Sequence, residues 1–181
     1  MKKIFYLFAG VNGAGKSTLY NLAMINQNIK NTIRINTDEI VREIGDWKNN
    51  SDQLKAAKMA INLRNECFLY GKSFNEETTL TGKTILKTID RAKELGYELQ
   101  LFYVGVSSTE IAKERIKSRV EKGGHHIEDD VVEKRYYESL KNLKEIIYHN
   151  LKKSEAVEYV LDFNAYHCAG WKQYWMEQVK E

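Results

Sequence analysis

Apolar and polar positions follow two alternating patterns along this chain. Short runs predict strands at residues 3–9, 32–36, 73–77 and 99–106, and a last strand at 157–161. Between these runs, apolar residues recur every three or four positions, which predicts amphipathic helices. Strands that alternate with helices predict an α/β fold, in which helices cover both faces of a central parallel sheet to make three layers.

The helices are predicted from this spacing together with start and stop signals. The first is predicted over residues 15–27, with an inward face of Leu19, Leu22 and Ala23. A short helix is predicted from Thr37 to Gly45. A long helix is predicted to begin at the cap Ser51 and to end at Gly71, with an inward face of Leu54, Ala57, Ile61 and Phe68.

Three later helices complete the pattern. One is predicted to end at Gly96, after apolar residues at 85, 89 and 92. The next is predicted to open at a capping box in residues 107–110 and to run to residue 121. After the break at Gly123 and Gly124, the last helix is predicted to end near Asn150.

The first strand runs directly into the sequence G-V-N-G-A-G-K-S-T, residues 10–18. This is the G-x-x-x-x-G-K-S phosphate-binding loop between a strand and a helix. Its glycines let backbone N–H groups point at phosphate oxygens, and the helix dipole adds positive potential. Lys16 is predicted to reach the β- and γ-phosphates and Ser17 to ligate Mg²⁺. The predicted nucleotide-binding residues are Gly10, Asn12, Gly13, Ala14, Gly15, Lys16, Ser17 and Thr18.

Composition narrows the function classes. The chain has 181 residues, 43% of them apolar and 29% charged, which predicts one globular domain over 1–181. A net charge of +3 without a long basic tract argues against a nucleic-acid binder and suits anionic substrates. No apolar run is long enough to span a membrane. Residues 1–9 could pass for a short signal peptide, but cleavage would destroy the phosphate loop, so we expect a cytoplasmic protein.

Ligands of a parallel α/β sheet lie at the carboxyl ends of its strands, which makes strand-end residues site candidates. Asp38 follows the second predicted strand and could accept a proton from an acceptor hydroxyl. Alternatively, it caps the short helix. Glu77, followed by Thr78 and Thr79, could bind acceptor hydroxyls or a magnesium-bound water, or could be a solvated strand end.

Arginines are concentrated in the two helices that flank the Gly123-Gly124 break. Arg115 and Arg119 are four residues apart and share one helix face, and Arg135 lies near the start of the next helix. Two helices with a glycine hinge and arginines resemble a kinase lid, here over residues 108–140, whose arginines neutralise the transferring phosphoryl. The alternative is a solvated basic face.

Two other observations restrict the class of P-loop protein. The chain lacks the N-K-x-D and D-x-x-G motifs, which argues against a regulatory GTPase. Asp162 ends the strand predicted at 157–161 as a Walker B aspartate would, but its late position favours an ordinary strand. Neither the His125-His126 pair nor Cys67 and Cys168 has the spacing of a metal site, and a hydrogen-bonding role on the lid is expected for the histidines.

Taken together, five segments resemble the zeta toxin family, in particular its short, stand-alone bacterial members. They are residues 10–18, 36–38, 77–80, 119–125 and 135–136. The resemblance implies a P-loop kinase that uses ATP and Mg²⁺ and phosphorylates the sugar 3′-hydroxyl of UDP-N-acetylglucosamine. It implies that Asp38 is the general base, that Glu77 contacts the acceptor and that Arg119 binds phosphate. Any antitoxin is expected to be a separate protein or absent.

Two other functions remain open at this point. The same residues would serve a kinase of another hydroxylated metabolite or antibiotic. A non-catalytic nucleotide-binding module is the third hypothesis, although the presence of both Lys16 and Asp38 argues against it because a binder needs no base.

Overall fold

The computed structural model of the chain describes residues 2–24 and 27–151; the strand predicted at 157–161 and Asp162 lie outside them. The described strands are β1 (Ile4–Ala9), β2 (Ile33–Ile35), β3 (Phe74–Thr78) and β4 (Glu98–Tyr103). The described helices are α1 (Lys16–Ala23), α2 (Gln27–Lys30), α3 (Thr37–Ile44), α4 (Asn50–Tyr70), α5 (Lys83–Glu94), α6 (Thr109–Glu121) and α7 (Asp129–Leu151).

The four strands form one parallel sheet in the order β2–β3–β1–β4. The strand that leads into the phosphate-binding loop therefore lies inside the sheet, where Phe5 is paired with Phe74 on one side and Leu99 on the other. A strand with neighbours on both edges and helices on both faces is apolar throughout, as the run at 4–9 is.

Two hydrophobic clusters cover the two faces of the sheet. Alternate residues of β1 divide between them: Phe5 and Leu7 belong to one cluster, and Tyr6 and Phe8 to the other. The first cluster is completed by residues of α4, α5 and α7, and the second by residues of α1, α6 and the start of α7. The predicted α/β class, with a parallel sheet between two helical layers, is confirmed.

The predicted inward faces of two helices are partly wrong. Leu22 of α1 is 49% exposed, and α1 ends at Ala23 rather than continuing to residue 27. In α4, Leu54 and Ile61 are exposed, whereas the buried residues are Ala56, Ala60, Cys67 and Phe68. The stripe that faces the interior thus includes two alanines, at positions 56 and 60, and is less hydrophobic than the predicted one.

Helix ends also differ from the prediction in one place. Asn49, not Ser51, caps α4: its side chain accepts a hydrogen bond of 2.9 Å from the backbone N–H of Ser51. Gly71 closes the same helix in the left-handed conformation, as predicted. Ser108 caps α6, and β4 ends at Tyr103, three residues before the end of the predicted strand.

Two further findings concern membrane insertion and cysteine reactivity. Within the described residues, no helix is both long and apolar enough to cross a bilayer. Cys67 is a buried free thiol, and burial raises its pKa to about 11, so it is an inert core residue.

Candidate active site

The loop between β1 and α1 has the conformation that its sequence requires. Gly10 and Gly13 have φ values of 142° and 80°, which L side chains rarely adopt. A Cβ atom at Gly10 would lie 2.2 Å from the carbonyl oxygen of Val104, and one at Gly13 would lie 2.6 Å from that of Ala112. The loop is therefore packed against β4's extension and α6, and α1 begins at Lys16 with its free N–H groups directed at the loop.

Lys16 is held at the base of this loop. Its side chain is buried, and its ammonium donates a hydrogen bond of 3.2 Å to the carbonyl oxygen of Val11. Burial lowers the pKa of Lys16; Glu77 and Asp38 oppose that shift, and the charges of Arg119 and Arg135 add to it. A buried cation in such surroundings is stabilised by an anionic ligand.

Glu77 at the end of β3 is tied into the same region. Its Oε2 accepts hydrogen bonds from Arg34 Nη2 at 2.8 Å and from Asn36 Nδ2 at 3.0 Å. The Ser17 hydroxyl donates to the Glu77 carboxylate, 3.2 Å from Oε1. Because the Glu77 side chain is only 11% exposed and has three partners, it is not a solvated strand end.

The pair Ser17–Glu77 fits a magnesium ion bound together with phosphates. Mg²⁺ prefers oxygen ligands and usually takes only one or two from the protein, with phosphate and water supplying the rest. Among the described residues, no group of three or more His, Cys, Asp or Glu side chains could hold a metal by itself. Since the Ser17 hydroxyl donates its hydrogen bond to Glu77, its oxygen lone pairs remain available to a cation.

The structure distinguishes the two roles considered for Asp38. The N-cap of α3 is Asn36, whose side-chain oxygen accepts hydrogen bonds from the backbone N–H groups of Asp38 at 2.9 Å and Glu39 at 3.3 Å. Asp38 thus occupies the first turn of α3, and its exposed side chain lines a large cavity. Its carboxylate is free for a role other than capping.

That cavity has a volume of about 1120 Å³ and two walls. One wall is α3 with the start of α4 and the turn between them. The other is α6, the start of α7 and the loop between them. The cationic residues among its lining are Arg42, Arg115, Arg119, Lys122 and Arg135. Asp38 provides the single carboxylate among the described lining residues. Positive charge is therefore in excess, and the cavity suits anionic ligands.

The three arginines predicted to belong to a lid all line this cavity. Arg115 donates hydrogen bonds to the carbonyl oxygens of Ala14 at 3.2 Å and Gly13 at 3.5 Å. Arg135 donates to Asn12 Oδ1 at 2.8 Å. Both therefore contact the phosphate-binding loop itself, which joins α6 and α7 to the loop between β1 and α1.

Arg119 contacts the loop between α6 and α7 instead. Its Nη2 donates a hydrogen bond of 2.6 Å to the carbonyl oxygen of His125, and Gly124 packs against its aliphatic part.

The His125 ring lies edge-on to Trp47 of the opposite wall, with ring centroids 4.3 Å apart. Burial lowers the pKa of His125, with Asp38 opposing that shift. His126 does not line the cavity, and its Nε2 lies 3.4 Å from Glu128 Oε1.

Thr78 and Thr79 do not line the cavity, unlike Asp38. The Thr78 hydroxyl accepts from the backbone N–H of Leu80 at 3.0 Å, and the hydroxyls of Thr79 and Thr81 lie 2.8 Å apart. Leu80 is buried with a φ of 59°, a strained value for a branched residue. Asn142 of α7 holds this turn by donating to the carbonyl oxygens of Leu80 and Gly82.

Sequence reasoning missed three residues that organise the site: Arg34, Trp47 and Asn142. Arg34 is a cation inside an otherwise apolar short strand, and that signal alone marks a residue with a buried partner. It pairs with Glu39 and Glu77 and lies 3.5 Å from the ring centroid of Tyr20. Trp47 gave no signal beyond its size, and Asn142 gave none.

Comparison with known proteins decides the family. The sequence model of the zeta toxin family matches residues 1–164. The chain belongs to the zeta toxin family. A Haemophilus influenzae protein described as uncharacterized is 37% identical over 135 residues, which cover 75% of this chain and 92% of that protein.

Two solved structures are similar to this chain in fold. The PezAT chromosomal toxin–antitoxin system of Streptococcus pneumoniae matches with a TM-score of 0.61 and 19% identity, over 88% of this chain and 66% of that chain. The AvrRxo1-ORF1:-ORF2 complex with ATP matches with a TM-score of 0.69 and 16% identity, over 88% of this chain and 54% of that one. At these identities the likeness shows the shared fold.

Proposed function

We propose that this zeta toxin family member is an ATP-dependent kinase that transfers the γ-phosphoryl group to a hydroxyl of a small molecule. The observation that carries the proposal is that Asp38 and Arg119 line one cavity, from opposite walls, beside the loop that holds Lys16. A base for the acceptor and cations for the phosphoryl group are the two requirements of this chemistry. The complex of the structurally similar AvrRxo1-ORF1:-ORF2 with ATP supports ATP as the donor.

The residues have separate tasks in this mechanism. The amides of residues 10–17 and the Lys16 ammonium bind the ATP phosphates. Asp38 orients the acceptor hydroxyl and takes its proton as the new oxygen–phosphorus bond forms and the bond from the γ-phosphorus to the β,γ-bridging oxygen breaks, leaving ADP. Arg119 stabilises charge on the phosphoryl in transit, and Arg115 and Arg135 keep the loop in place. Ser17, oriented by Glu77, would hold Mg²⁺, which neutralises phosphate charge when bound.

The acceptor we propose is UDP-N-acetylglucosamine or a related nucleotide sugar. Two features support this class besides family membership. The excess of cations in the cavity suits an acceptor that itself carries phosphates. For sugar hydroxyls, Asn50 offers a side-chain amide and Gln53 an amide oxygen, since Gln53 Nε2 donates to the carbonyl oxygen of Trp47. Another hydroxylated metabolite or an antibiotic would use the same Asp38, so the choice of acceptor has to be measured.

Partner and location follow the same proposal. The PezAT system pairs a toxin with an antitoxin, which supports a separate antitoxin protein as a partner of this chain. Neither a nucleic acid nor a membrane is expected as a partner, and action on a nucleotide sugar would take place in the cytoplasm.

A transfer assay with γ-labelled ATP tests the function. The panel comprises nucleotide sugars, free amino sugars, aminoglycosides and nucleosides, each with the parent chain and with Asp38→Asn. We expect label on UDP-N-acetylglucosamine with the parent and at least a ~10²-fold lower rate with the variant. Label on another panel member would contradict the proposed acceptor but support the proposed kinase activity. ATP binding without label on any acceptor would favour the non-catalytic nucleotide-binding module.

A further inference from the structure

The two walls of the cavity touch each other at Trp47 and His125. Trp47 lies in the turn between α3 and α4, and His125 lies in the loop between α6 and α7. Their rings meet edge to face, at 4.3 Å between centroids and an interplanar angle of 79°. Both side chains line the cavity and both are half-buried. The contact therefore bridges the cavity between the wall that carries Asp38 and the wall that carries Arg119.

Arg119 is bound to the loop segment that carries His125, and the two form one packed unit. The guanidinium of Arg119 is hydrogen-bonded to the backbone carbonyl of His125, at 2.6 Å. Gly124 packs so closely on Arg119 that an added Cβ would lie 2.5 Å from its Cγ. A displacement of the His125 backbone, which the contact of its ring with Trp47 opposes, would therefore change the position of the Arg119 guanidinium.

This unit also carries two unsatisfied polar atoms. Arg119 Nε and His125 Nδ1 are buried without a hydrogen-bond partner among the described residues. Buried polar atoms in native proteins usually have partners, and an exception calls for an explanation such as strain, a catalytic role or a bound water or ion. Both side chains line the cavity, but the two atoms themselves are covered, so they gain partners only if this unit shifts.

We propose that Trp47 and His125 are positioning residues: their contact closes the cavity over the bound acceptor, holds Arg119 at the transferring phosphoryl and keeps water out. Without the contact, water competes with the acceptor for the γ-phosphorus and yields ADP and inorganic phosphate. This inference rests on the proposed kinase function. Closure of a site by a loop that excludes water is a general means of preventing this side reaction.

The measurement is the ratio of acceptor phosphorylation to ATP hydrolysis, since a residue with only a structural role lowers both together. UDP-N-acetylglucosamine, or whichever panel acceptor is labelled, serves as acceptor. For Trp47→Ala and for His125→Ala we expect the ratio to fall at least ~10-fold with ATP affinity within a few-fold of the parent, because the phosphate loop is untouched. Trp47→Phe keeps an aromatic ring and should retain most of the ratio.

His126→Ala is the matched control, because His126 is the adjacent histidine and its ring pairs with Glu128 outside the cavity. We expect the parent's ratio for this variant. In Trp47→Ala/His125→Ala the loss should equal that of either single variant, since both remove one contact. Thermal midpoints of all variants establish that they fold, and His125→Ala keeps the test valid should Trp47→Ala not fold, because it removes the same contact.

Three outcomes would overturn this inference alone: an unchanged ratio in folded Trp47→Ala, an equal loss in His126→Ala, or independent, additive losses in the double variant. A parent chain that transfers phosphate to no hydroxyl acceptor would overturn the proposed function and this inference with it.

Discussion

Asn36 donates a hydrogen bond from Nδ2 to the Glu77 carboxylate, at 3.0 Å, while its side-chain oxygen caps the helix that carries Asp38. One amide thus fixes two residues from different strand ends relative to each other. Its donor side orients the carboxylate that faces Ser17, and its acceptor side sets the first turn of α3. An aspartate or serine could cap α3 equally well, but neither would offer the amide donor to Glu77.

The first prediction concerns the role of Glu77. Glu77→Gln should raise the Mg²⁺ concentration needed for half-maximal ATP binding, by about 10-fold, because residues that orient a metal ligand typically contribute 10–100-fold to metal affinity. Calorimetric ATP titrations at graded Mg²⁺ measure this without any acceptor. The matched control is Glu39→Gln, because Glu39 pairs with the same Arg34 at 2.9 Å but has no bond to Ser17. A normal Mg²⁺ dependence with a raised acceptor KM would assign Glu77 to the acceptor instead.

Lys16→Met should abolish phosphoryl transfer, by at least ~10²-fold, and leave the fold intact or more stable. The gain in stability follows from the pKa of Lys16, which burial lowers below its ordinary value of 10.5. Below the lowered pKa, folding buries an ammonium at full cost; between that pKa and 10.5 the unfolded chain binds more protons, so stability rises with pH.

The stability advantage of Lys16→Met over the parent should therefore be largest below the lowered pKa and shrink as the pH approaches 10.5. Denaturant unfolding of both proteins across neutral and alkaline pH measures the difference. A parent that is more stable than Lys16→Met at neutral pH would show that the Lys16 ammonium stabilises the empty loop.

Substitutions of Arg119 and Arg135 should have different kinetic effects. Arg135→Ala removes the bond to Asn12 of the phosphate loop, so we expect mainly weaker ATP binding. Arg119→Ala should lower turnover by about 10²–10³-fold with little effect on ATP affinity, because its guanidinium acts on the transferring phosphoryl. Steady-state kinetics at saturating acceptor separate kcat from the KM for ATP. A pure rise in that KM for Arg119→Ala would make Arg119 a nucleotide clamp.

The fold was predictable because its strongest signals are local. The apolar run 4–9 and the motif at 10–18 define β1, the loop and the start of α1, and the structure agrees with them. The inward face of α4 was not predictable in this way, because apolar residues lie on two sides of the helix. Leu54 was assigned to the core, but it lines the cavity wall, whereas Ala56 and Ala60 are buried. Hydrophobicity alone ranks leucine above alanine, and only the close approach of neighbouring elements reverses that order.

The location of a single residue at a strand end was predictable, whereas the pairing of residues distant in sequence was not. Asp38 lines the cavity expected from its place after β2. The partners of Glu77 are far away in sequence: Ser17 is 60 residues distant and Arg34 is 43. Such pairs depend on strand order, since β2, β3 and β1 have to be neighbours before these side chains can meet. No spacing along the chain encodes that order.

Asp38→Asn is the sharpest test of the proposed base. The substitution keeps the size of the side chain and leaves the cap of α3 to Asn36, so the thermal midpoint should change little. It removes the proton acceptor beside the acceptor hydroxyl. A loose transition state makes the chemical loss modest, but misorientation of the hydroxyl adds to it, and we expect a rate lower by about 10²-fold or more. ATP binding should persist, because Lys16 and the loop amides are unchanged.

The control is Glu43→Gln, because Glu43 is an exposed carboxylate on the same helix that does not line the cavity of Asp38. Its transfer rate should equal that of the parent. Calorimetry for ATP affinity and the labelled transfer assay are performed on the same preparation of each variant, so a loss of rate cannot be confused with a loss of folded protein. Transfer by Asp38→Asn within a few-fold of the parent would exclude Asp38 as the base. Glu77 would then be the next carboxylate to test, since it also faces the phosphate loop.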